Sequence, residues 1–364
     1  MDLKKYLNVM VEEDASDMYI KSGSPVFYRI DGKLKSLDNK IISSTDTESA
    51  MRELLSETEQ ASFDKGLEMD TAIAIEKLGR FRVNIFRQMG KIALVFRLIK
   101  SEIPSFEELN LPAELMRQLS NEERGMILIT GIAGSGKSTT IAAMIEYLNN
   151  NERKHIITIE DPIEYSFADK KCVISQREVG ADTLDFHNAL RHVIRQSPDV
   201  IFIGEMRDYE TIQSAIMAAE TGHLVLSTLH TVDATQTIER IINYFPPYQH
   251  DQVRLQLSLI LKAVISLRLL LKKDGTGRLP ACEIMTLTPT VRKVIREGRT
   301  NELYECIKRG DIAYMQTFNQ ALVKLLKEGK ITENEAMKYA SNVEELTLEL
   351  RGIFSGTDTF NPKK

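Results

Sequence analysis

The first hundred residues alternate short β-like runs with helical segments. Apolar residues recur at helical spacing over 2–12, and Ser44 opens two further helical segments that reach Leu55 and Lys65. Shorter runs bounded by turn residues predict strands, which lie at 17–20, 26–30, 70–75, 80–87 and 93–99. The pattern predicts a self-contained α+β domain over residues 1–100, followed by a linker over 101–112 that contains Pro104.

From residue 113 onwards, strands and helices alternate. Short, almost entirely apolar runs at 156–159 and 200–203 are expected for strands covered on both faces of a sheet. An apolar strand is also predicted at 126–130, and another buried strand at 223–228. Helical segments over 139–148 and 211–221 lie among them. This alternation predicts an α/β domain with a mainly parallel sheet over 113–285. The pattern beyond Gly277 is helical, so a helical C-terminal region is expected over 286–354, and the polar tail over 355–364 is expected to be disordered.

Composition narrows the class of protein. The apolar share of 43% is ordinary for a soluble protein, and the formal net charge of -5 disfavours a protein that tracks nucleic-acid phosphates. Cys172, Cys282 and Cys306 lie far apart, so they predict neither a four-cysteine zinc site nor a disulfide framework. A reducing cytoplasm is the simplest setting.

The sequence also predicts no direct insertion into a membrane. The N-terminus leads into an acidic helix and not into an apolar signal region. The most apolar later stretch, Leu257 to Leu271, is interrupted by Lys262 and Arg268 and is shorter than the roughly 20 residues that a spanning helix needs. Any association with a membrane is therefore expected to come through partner proteins.

One segment, Gly131-Ile-Ala-Gly134-Ser-Gly136-Lys137-Ser138, matches the G-x-x-x-x-G-K-[ST] phosphate-binding loop and lies between a predicted strand and a predicted helix. Glycines permit backbone angles that let successive N–H groups face a polyphosphate, while the helix N-terminus adds positive potential. Lys137 is expected to reach the terminal phosphates of ATP, and the Ser138 hydroxyl is expected to ligate Mg²⁺. The predicted nucleotide contacts are Gly131, Ala133, Gly134, Ser135, Gly136, Lys137, Ser138 and Thr139.

A nucleotide site also needs carboxylates that handle Mg²⁺ or the attacking water. Glu160 and Glu164 follow one predicted strand, and Glu205 follows another, where ligands bind in parallel sheets. Gly204 occupies the position at which a Walker-B strand usually ends in Asp, so Glu205 is expected to hold Mg²⁺ through water. The pattern alone does not rank Glu160, Glu164 and Glu205 as the general base.

Two histidines and three arginines are further candidates. His223 and His230 flank one predicted strand seven residues apart, so they should lie on opposite faces and roughly 23 Å from each other. His230, at the carboxyl end, is placed to sense a γ-phosphate, whereas His223 is expected to be structural or to lie at a subunit contact. On the first domain, Arg80 and Arg82 project from one strand face and Arg97 lies on the next strand; all three could reach a neighbouring subunit's phosphate.

The motifs, taken in order, resemble the type II/IV secretion ATPase superfamily, with the closest likeness to PilT/PilU-type pilus retraction motors. The matching segments are the phosphate loop, Ile159-Glu-Asp-Pro-Ile-Glu164, Gln176-Arg-Glu-Val-Gly180, Gly204-Glu-Met-Arg-Asp208, Ala219-Glu-Thr-Gly-His223, Thr228-Leu-His230, and Ala15-Ser-Asp17 and Met315-Gln-Thr-Phe318 nearer the ends. The resemblance implies a PAS-like N-terminal domain joined to a RecA-like P-loop ATPase domain in a homo-hexamer.

The resemblance also implies roles and partners. Glu164 looks like the general base, Glu205 the Walker-B acid and His230 the γ-phosphate sensor, while Arg80, Arg82 and Arg97 resemble arginines that close the subunit interface. ATP hydrolysis would drive type IV pilus retraction in the cytoplasm, docked at an inner-membrane platform protein and acting alone or beside a paralogous retraction ATPase. The related assembly motors carry an extra N-terminal region and a tetracysteine motif, which are not found here and whose absence favours retraction.

Three other interpretations stay open from the sequence. A VirB11-like secretion ATPase shares the ring plan, and a RecA-like nucleic-acid translocase shares the core. A regulatory subunit that binds nucleotide without turnover is the alternative outside the enzymes, although Lys137, Glu164 and Glu205 are all present. The C-terminal helix of the family appears here with Arg292 and Arg296 retained but with other positions changed, which leaves the pilus partner undetermined.

Overall fold

The structure is a computed structural model that describes residues 1–30, 32–76, 78–99, 102–310 and 314–351. It divides into two compact units. The first comprises Met1–Glu102 together with Ile163–Ser166, and the second comprises Ile103–Pro162 and the chain from Phe167 onwards. The tail predicted over 355–364 lies outside the described residues.

The first unit is an antiparallel sheet with helices packed on one face. Its elements are α1 (Leu3–Glu12), β1 (Asp17–Lys21), β2 (Phe27–Ile30), β3 (Lys33–Ser36), α2 (Ser44–Leu54), α3 (Glu57–Gly66), β4 (Glu68–Ile75), β5 (Gly79–Gln88) and β6 (Lys91–Ile99). The strand order is β3-β2-β1-β6-β5-β4. Serine capping boxes begin α2 and α3, at Ser43 and Ser56.

Alternation along β5 separates the two faces of this sheet. Phe81, Val83 and Ile85 are fully buried in the core beneath the helices, whereas Arg80 and Arg82 point to the opposite face. Because the period of a strand is two, the apolar positions of β5 fix which of its polar residues share the open face.

The second unit is built on a mainly parallel sheet. Its strands are β7 (Gly125–Thr130), β8 (His155–Glu160), β9 (Val173–Glu178), β10 (Val200–Ile203), β11 (Leu224–Leu229), β12 (Leu261–Leu271) and β13 (Arg278–Thr286). Over the described residues the strand order is β13-β12-β7-β11-β10-β8-β9, and the pairing is parallel except between β12 and β13. The α/β fold class predicted from the sequence is confirmed.

Helices cover both faces of this sheet. They are α4 (Ala113–Ser120), α5 (Lys137–Asn151), α6 (Phe186–Val193), α7 (Tyr209–Glu220), α8 (Ala234–Asn243) and α9 (His250–Ile260), followed by α10 (Pro289–Arg296), α11 (Leu303–Lys308), α12 (Phe318–Lys327), α13 (Glu333–Tyr339) and α14 (Val343–Leu350). Met126 and Leu128 of β7 belong to the core on one face, while Ile127 and Ile129 belong to the core on the other. A strand buried on both faces explains the continuous apolar run.

The prediction that the chain turns helical beyond Gly277 was wrong for its first residues. β13 occupies them and pairs antiparallel with β12 at the edge of the sheet. Pro280 and the charged Glu283 hide this strand in the sequence, because proline is tolerated on an edge strand and a buried acid breaks the apolar pattern. Among the described residues, no helix is both long and apolar enough to cross a bilayer.

Candidate nucleotide site

The phosphate loop connects β7 to α5, as the sequence predicts. Gly131, Gly134 and Gly136 all have positive φ, at 142°, 74° and 97°. A Cβ on Gly131 would lie 2.5 Å from Ser135 Oγ and 2.6 Å from the Leu267 carbonyl oxygen. The loop therefore depends on glycine both for its left-handed backbone and for its close packing.

Lys137 is the first residue of α5 and is almost fully buried. Its Nζ donates to the carbonyl oxygens of Gly131 at 2.8 Å and Ile132 at 3.1 Å, so the ammonium lies against the loop. Gly136 has no side chain to cap α5, which leaves the first-turn N–H groups for another acceptor. The Ser135 hydroxyl is buried and finds no hydrogen-bond partner among the described residues.

These features fit a bound polyphosphate. An uncapped helix N-terminus, a buried ammonium and an unpaired hydroxyl are donors that phosphate oxygens would satisfy. Ser138 follows Lys137 in the first turn and is only partly buried, so its hydroxyl could reach a cation on the phosphates.

Glu205 lies at the turn after β10 and makes two close contacts with nitrogen. Its Oε2 lies 2.8 Å from an Arg207 guanidinium nitrogen and 3.3 Å from His230 Nε2. The hydrogen bond from Arg207 to Glu205 raises the pKa of the guanidinium above its usual value. The carboxyl is mostly buried, whereas the His230 side chain is 44% exposed.

The strand order brings the phosphate loop, His230 and Glu205 to the carboxyl ends of three neighbouring strands. β11 lies between β7 and β10, and the three strands are parallel. The loops that follow them therefore lie at the same end of the sheet. At the usual strand spacing, β7 and β10 are about 10 Å apart.

A side chain at Gly204 would be crowded by the neighbouring strand β8. A Cβ at this position would lie 3.2 Å from the Ile159 carbonyl oxygen and 3.3 Å from the Glu160 Cα. The Gly204 N–H donates to that same Ile159 oxygen at 2.8 Å, so β8 and β10 approach closely here. The first acid after β10 is therefore Glu205, one residue beyond this crowded position.

Glu160 ends β8 and is buried in a hydrogen-bond network. Its Oε1 accepts from Thr158 Oγ1 at 2.6 Å and from Gln176 Nε2 at 3.2 Å. Gln176 Oε1 also accepts from the Phe167 backbone N–H at 2.9 Å. Sequence reasoning missed this bridging role of Gln176, although the motif that carries it was noted.

Glu164 lies in the segment Ile163–Ser166, which groups with the first unit. Its side chain is exposed. The structure therefore distinguishes it from Glu160 and Glu205, which are held by neighbouring side chains of the second unit. Its assignment as general base stays a prediction.

The three arginines of the first unit share one sheet face. Arg82 lies directly opposite Arg97 across β5 and β6, and Arg80 is two residues from Arg82. Arg82 lies 3.5 Å from Asp70, and Arg97 Nε donates to Asp17 Oδ1 at 2.9 Å. The structure thus brings the three together, and their action on a neighbour's nucleotide stays a prediction.

His223 lies at the amino end of β11, and His230 lies at the carboxyl end of the same strand. Its Nδ1 is 2.9 Å from the Ala218 carbonyl oxygen and 3.2 Å from Thr221 Oγ1, both at the end of α7. These contacts fit a histidine that closes a helix end.

The fold and the loop define a P-loop nucleotide-binding α/β protein. The family model described as type II/IV secretion system protein matches residues 1–338. The type IV pilus ATPase PilU of Pseudomonas aeruginosa is 41% identical over 351 residues, which is 96% of this chain and 92% of that protein. The type IV pilus retraction ATPase PilT of the same organism is 42% identical over 340 residues, or 93% of this chain and 98% of that protein.

A solved structure agrees with these relatives. The pilus retraction motor PilT with bound ADP superposes with a TM-score of 0.89 at 43% identity, and the match covers 95% of this chain and 99% of that one. The chain belongs to the type II/IV secretion system protein family. The resemblance to PilT/PilU-type pilus ATPases that the motifs indicated is confirmed.

Proposed function

We propose that this chain is an ATP-hydrolysing motor that drives the retraction of type IV pili. The observation that supports it most is the arrangement of the phosphate loop, His230 and Glu205 on three neighbouring parallel strands. The relatives named as pilus retraction ATPases match nearly the whole chain, and one of them is described with ADP bound.

In the proposed reaction, the loop N–H groups and Lys137 hold the phosphates of ATP. Mg²⁺, held by the Ser138 hydroxyl and through water by Glu205, would neutralise charge on the phosphates and align them. Glu164 would orient or deprotonate the attacking water. His230 would sense the γ-phosphate, because its ring contacts the Glu205 carboxyl, which would hold the cation.

Arginines from an adjoining subunit would complete the site. Arg80, Arg82 and Arg97 share one face, so a neighbour's N-terminal domain could present them together to the charge that develops on the phosphates. Such a contribution needs a ring, and the proposed assembly is a homo-hexamer. The proposed partners are an inner-membrane platform protein and, in some cells, a paralogous retraction ATPase.

The proposed location is the cytoplasmic base of the pilus machine, without a role for nucleic acid. A deletion strain should make pili that do not retract, and the wild-type gene should restore retraction while Glu164→Gln should not. Glu344→Gln, at an exposed position on α14, is the matched control and should restore retraction fully. Normal retraction in the deletion strain, or purified wild-type protein that releases no phosphate from magnesium ATP, would contradict the proposal.

A further inference from the structure

Glu283 is a buried acid that the predicted reaction does not use. It lies on β13 with only 3% of its surface exposed. Its Oε1 accepts a hydrogen bond from the backbone N–H of Ala234 at 2.9 Å, and its carboxyl lies beside the backbone of Phe318. Ala234 is the first residue of α8 and Phe318 the first residue of α12, so one carboxyl is bonded to the start of α8 and lies beside the start of α12.

Neither helix needs Glu283 as an ordinary cap. Asp233 already accepts from the N–H of Gln236 at 2.7 Å, and Thr317 accepts from the N–H of Gln320 at 3.3 Å. Burial disfavours the charged form and raises the pKa of Glu283 to about 7. Glu283 accepts from a different N–H than Asp233 does, so it adds a bond between β13 and the start of α8 beyond the helix's own cap.

The first of the two helices begins at the loop that carries His230. The loop is short, and Thr231 Oγ1 lies 2.6 Å from Thr237 Oγ1 on α8, which attaches its start to the helix. The other end of the loop, at Ala234, is held by the hydrogen bond to Glu283. A displacement of His230 would therefore move the start of α8 and the hydrogen bond to Glu283.

The second helix begins the C-terminal helical region. The residue Gln316, two before α12, pairs with Ile284 of β13 through backbone hydrogen bonds of 2.8 and 3.2 Å. Arg268 on β12 stacks over the Phe318 ring at 3.7 Å and donates to the Tyr339 carbonyl oxygen at 2.6 Å. The start of α12 is thus attached to β13, which carries Glu283, and to the neighbouring strand β12.

A buried polar row leads from Glu283 to the phosphate loop. Ser266 on β12 lies opposite Glu283 on one side and opposite Thr130 on the other, and Thr130 Oγ1 donates to Ser266 Oγ at 2.8 Å. Thr130 directly precedes the phosphate loop. Glu283 is therefore bonded to the start of α8 and lies opposite Ser266, whose hydroxyl is bonded to Thr130 just before the phosphate loop.

We propose that Glu283 is a positioning residue that connects the His230 loop to the C-terminal helices, so that a change of nucleotide at the loop is transmitted to α12. The proposal rests on the sensing role proposed above for His230. Its physical basis is that the bond from Glu283 to Ala234 holds the start of α8 to β13, and β13 is itself bonded through Ile284 to Gln316, just before α12.

The test compares Glu283→Gln with wild type in two measurements. Glutamine keeps the shape but replaces one carboxyl oxygen by an NH₂ group, which cannot accept a bond from a backbone N–H. We expect kcat to fall about tenfold with KM for ATP nearly unchanged, as for a small displacement of a positioning group. Hydrogen exchange at 318–322 should change in wild type on adding a magnesium-bound, non-hydrolysable ATP analogue, and this change should be lost in the variant.

A second variant breaks the same connection from the other side. Ala234→Pro removes the donated N–H at the first helical position, where proline is tolerated, and the extended backbone of Asp233 suits a following proline. In this variant too, hydrogen exchange at 318–322 should no longer change when the ATP analogue is added. Glu349→Gln, at another buried glutamate in the C-terminal region, is the matched control and should keep the wild-type response.

The outcomes separate this proposal from the function on which it rests. If exchange over 234–238 responds to the analogue but exchange over 318–322 does not, the connection through Glu283 is wrong while the sensing role survives. If the protein binds the analogue and neither segment responds, both are wrong. A Glu283→Gln variant whose kcat and hydrogen exchange match those of the wild-type protein would also overturn the proposal.

Discussion

His230 Nε2 lies 3.3 Å from Glu205 Oε2, although the two residues follow different strands. The same oxygen lies 2.8 Å from a guanidinium nitrogen of Arg207. One carboxyl oxygen therefore has two nitrogen neighbours, one from its own turn and one from the loop after β11. Any group that competes for this oxygen will alter the position of the His230 ring.

The contact predicts that Glu205 and His230 act as one unit. Glu205→Gln and His230→Gln should each lower kcat by about 10²-fold, within the range seen when one electrostatic contact to a transition state is removed. The double variant should lose much less activity than the product of the two single losses, because each single change already breaks the contact between the two side chains. Steady-state phosphate release in a double-mutant cycle measures the coupling.

His155→Gln provides the control for this cycle. His155 begins β8, at the amino ends of the strands and so far from Glu205. The loss of kcat from His155→Gln should therefore add to the loss from Glu205→Gln, with no coupling between them. Additive losses for Glu205 and His230 would contradict a shared function.

Lys137 should be required for nucleotide binding. Its Nζ lies against the loop carbonyls, and Lys137→Met removes the charge while keeping most of the buried length. Loss of a charge-assisted phosphate contact should weaken binding of a fluorescent ADP analogue by about tenfold or more. Lys171→Met, at an exposed position of the same unit, should bind normally, and equal affinity in the two variants would argue against the site.

Gly204 should not accept the aspartate that is common at this position. A Cβ would come within 3.2 and 3.3 Å of β8 atoms, so Gly204→Ala should lower the free energy of unfolding by about 1–3 kcal/mol and Gly204→Asp by more. Urea denaturation measures the change. Gly66→Ala, where nothing lies within 4 Å of the added Cβ and φ is not positive, should be neutral or slightly stabilising.

The sequence predicts those parts of the fold that depend on local patterns. The run from Met126 to Thr130 is apolar because β7 is buried on both faces, and the capping serines mark α2 and α3. Strand order is not local, so the contact between Glu205 and His230 could not be derived before β11 was placed between β7 and β10. The same reason hid the bond between Gln176 and Glu160, which lie on neighbouring parallel strands.

The edge strands show a second limit. β9 and β13 are partly polar or interrupted by proline, so neither has the alternation of a half-exposed strand or the apolar run of a central one. Glu283 illustrates the difficulty, because its burial depends on α8 and α12, which arrive from distant parts of the chain.

Glu283 should make stability depend on pH. Its pKa is about 7 in the folded protein and near 4.5 when solvated, so the folded state binds more protons between these values. Stability relative to Glu283→Gln should therefore be greatest below about pH 4.5 and decrease as pH rises through 7, by on the order of 3 kcal/mol. Melting temperatures at pH 5, 6, 7 and 8 measure the difference. Glu333→Gln, at an exposed position on α13, should give a curve parallel to wild type, and a parallel curve for Glu283→Gln would contradict the assignment.

Arg97 should resist replacement even by lysine. Asp17 is almost fully buried and accepts from Arg97 Nε at 2.9 Å, while two thirds of the arginine side chain is exposed. The bond to Nε holds the guanidinium and leaves its outer edge towards solvent, whereas a lysine ammonium cannot keep that bond and also extend beyond it. If Arg97 serves a neighbour's nucleotide, Arg97→Lys should lower the phosphate-release rate of the assembled protein by about 10³-fold, close to the loss of an arginine finger. Arg87→Lys, on the adjacent strand β5 and paired with Asp64, should retain activity, and comparable rates for the two variants would show that Arg97 only stabilises its own sheet.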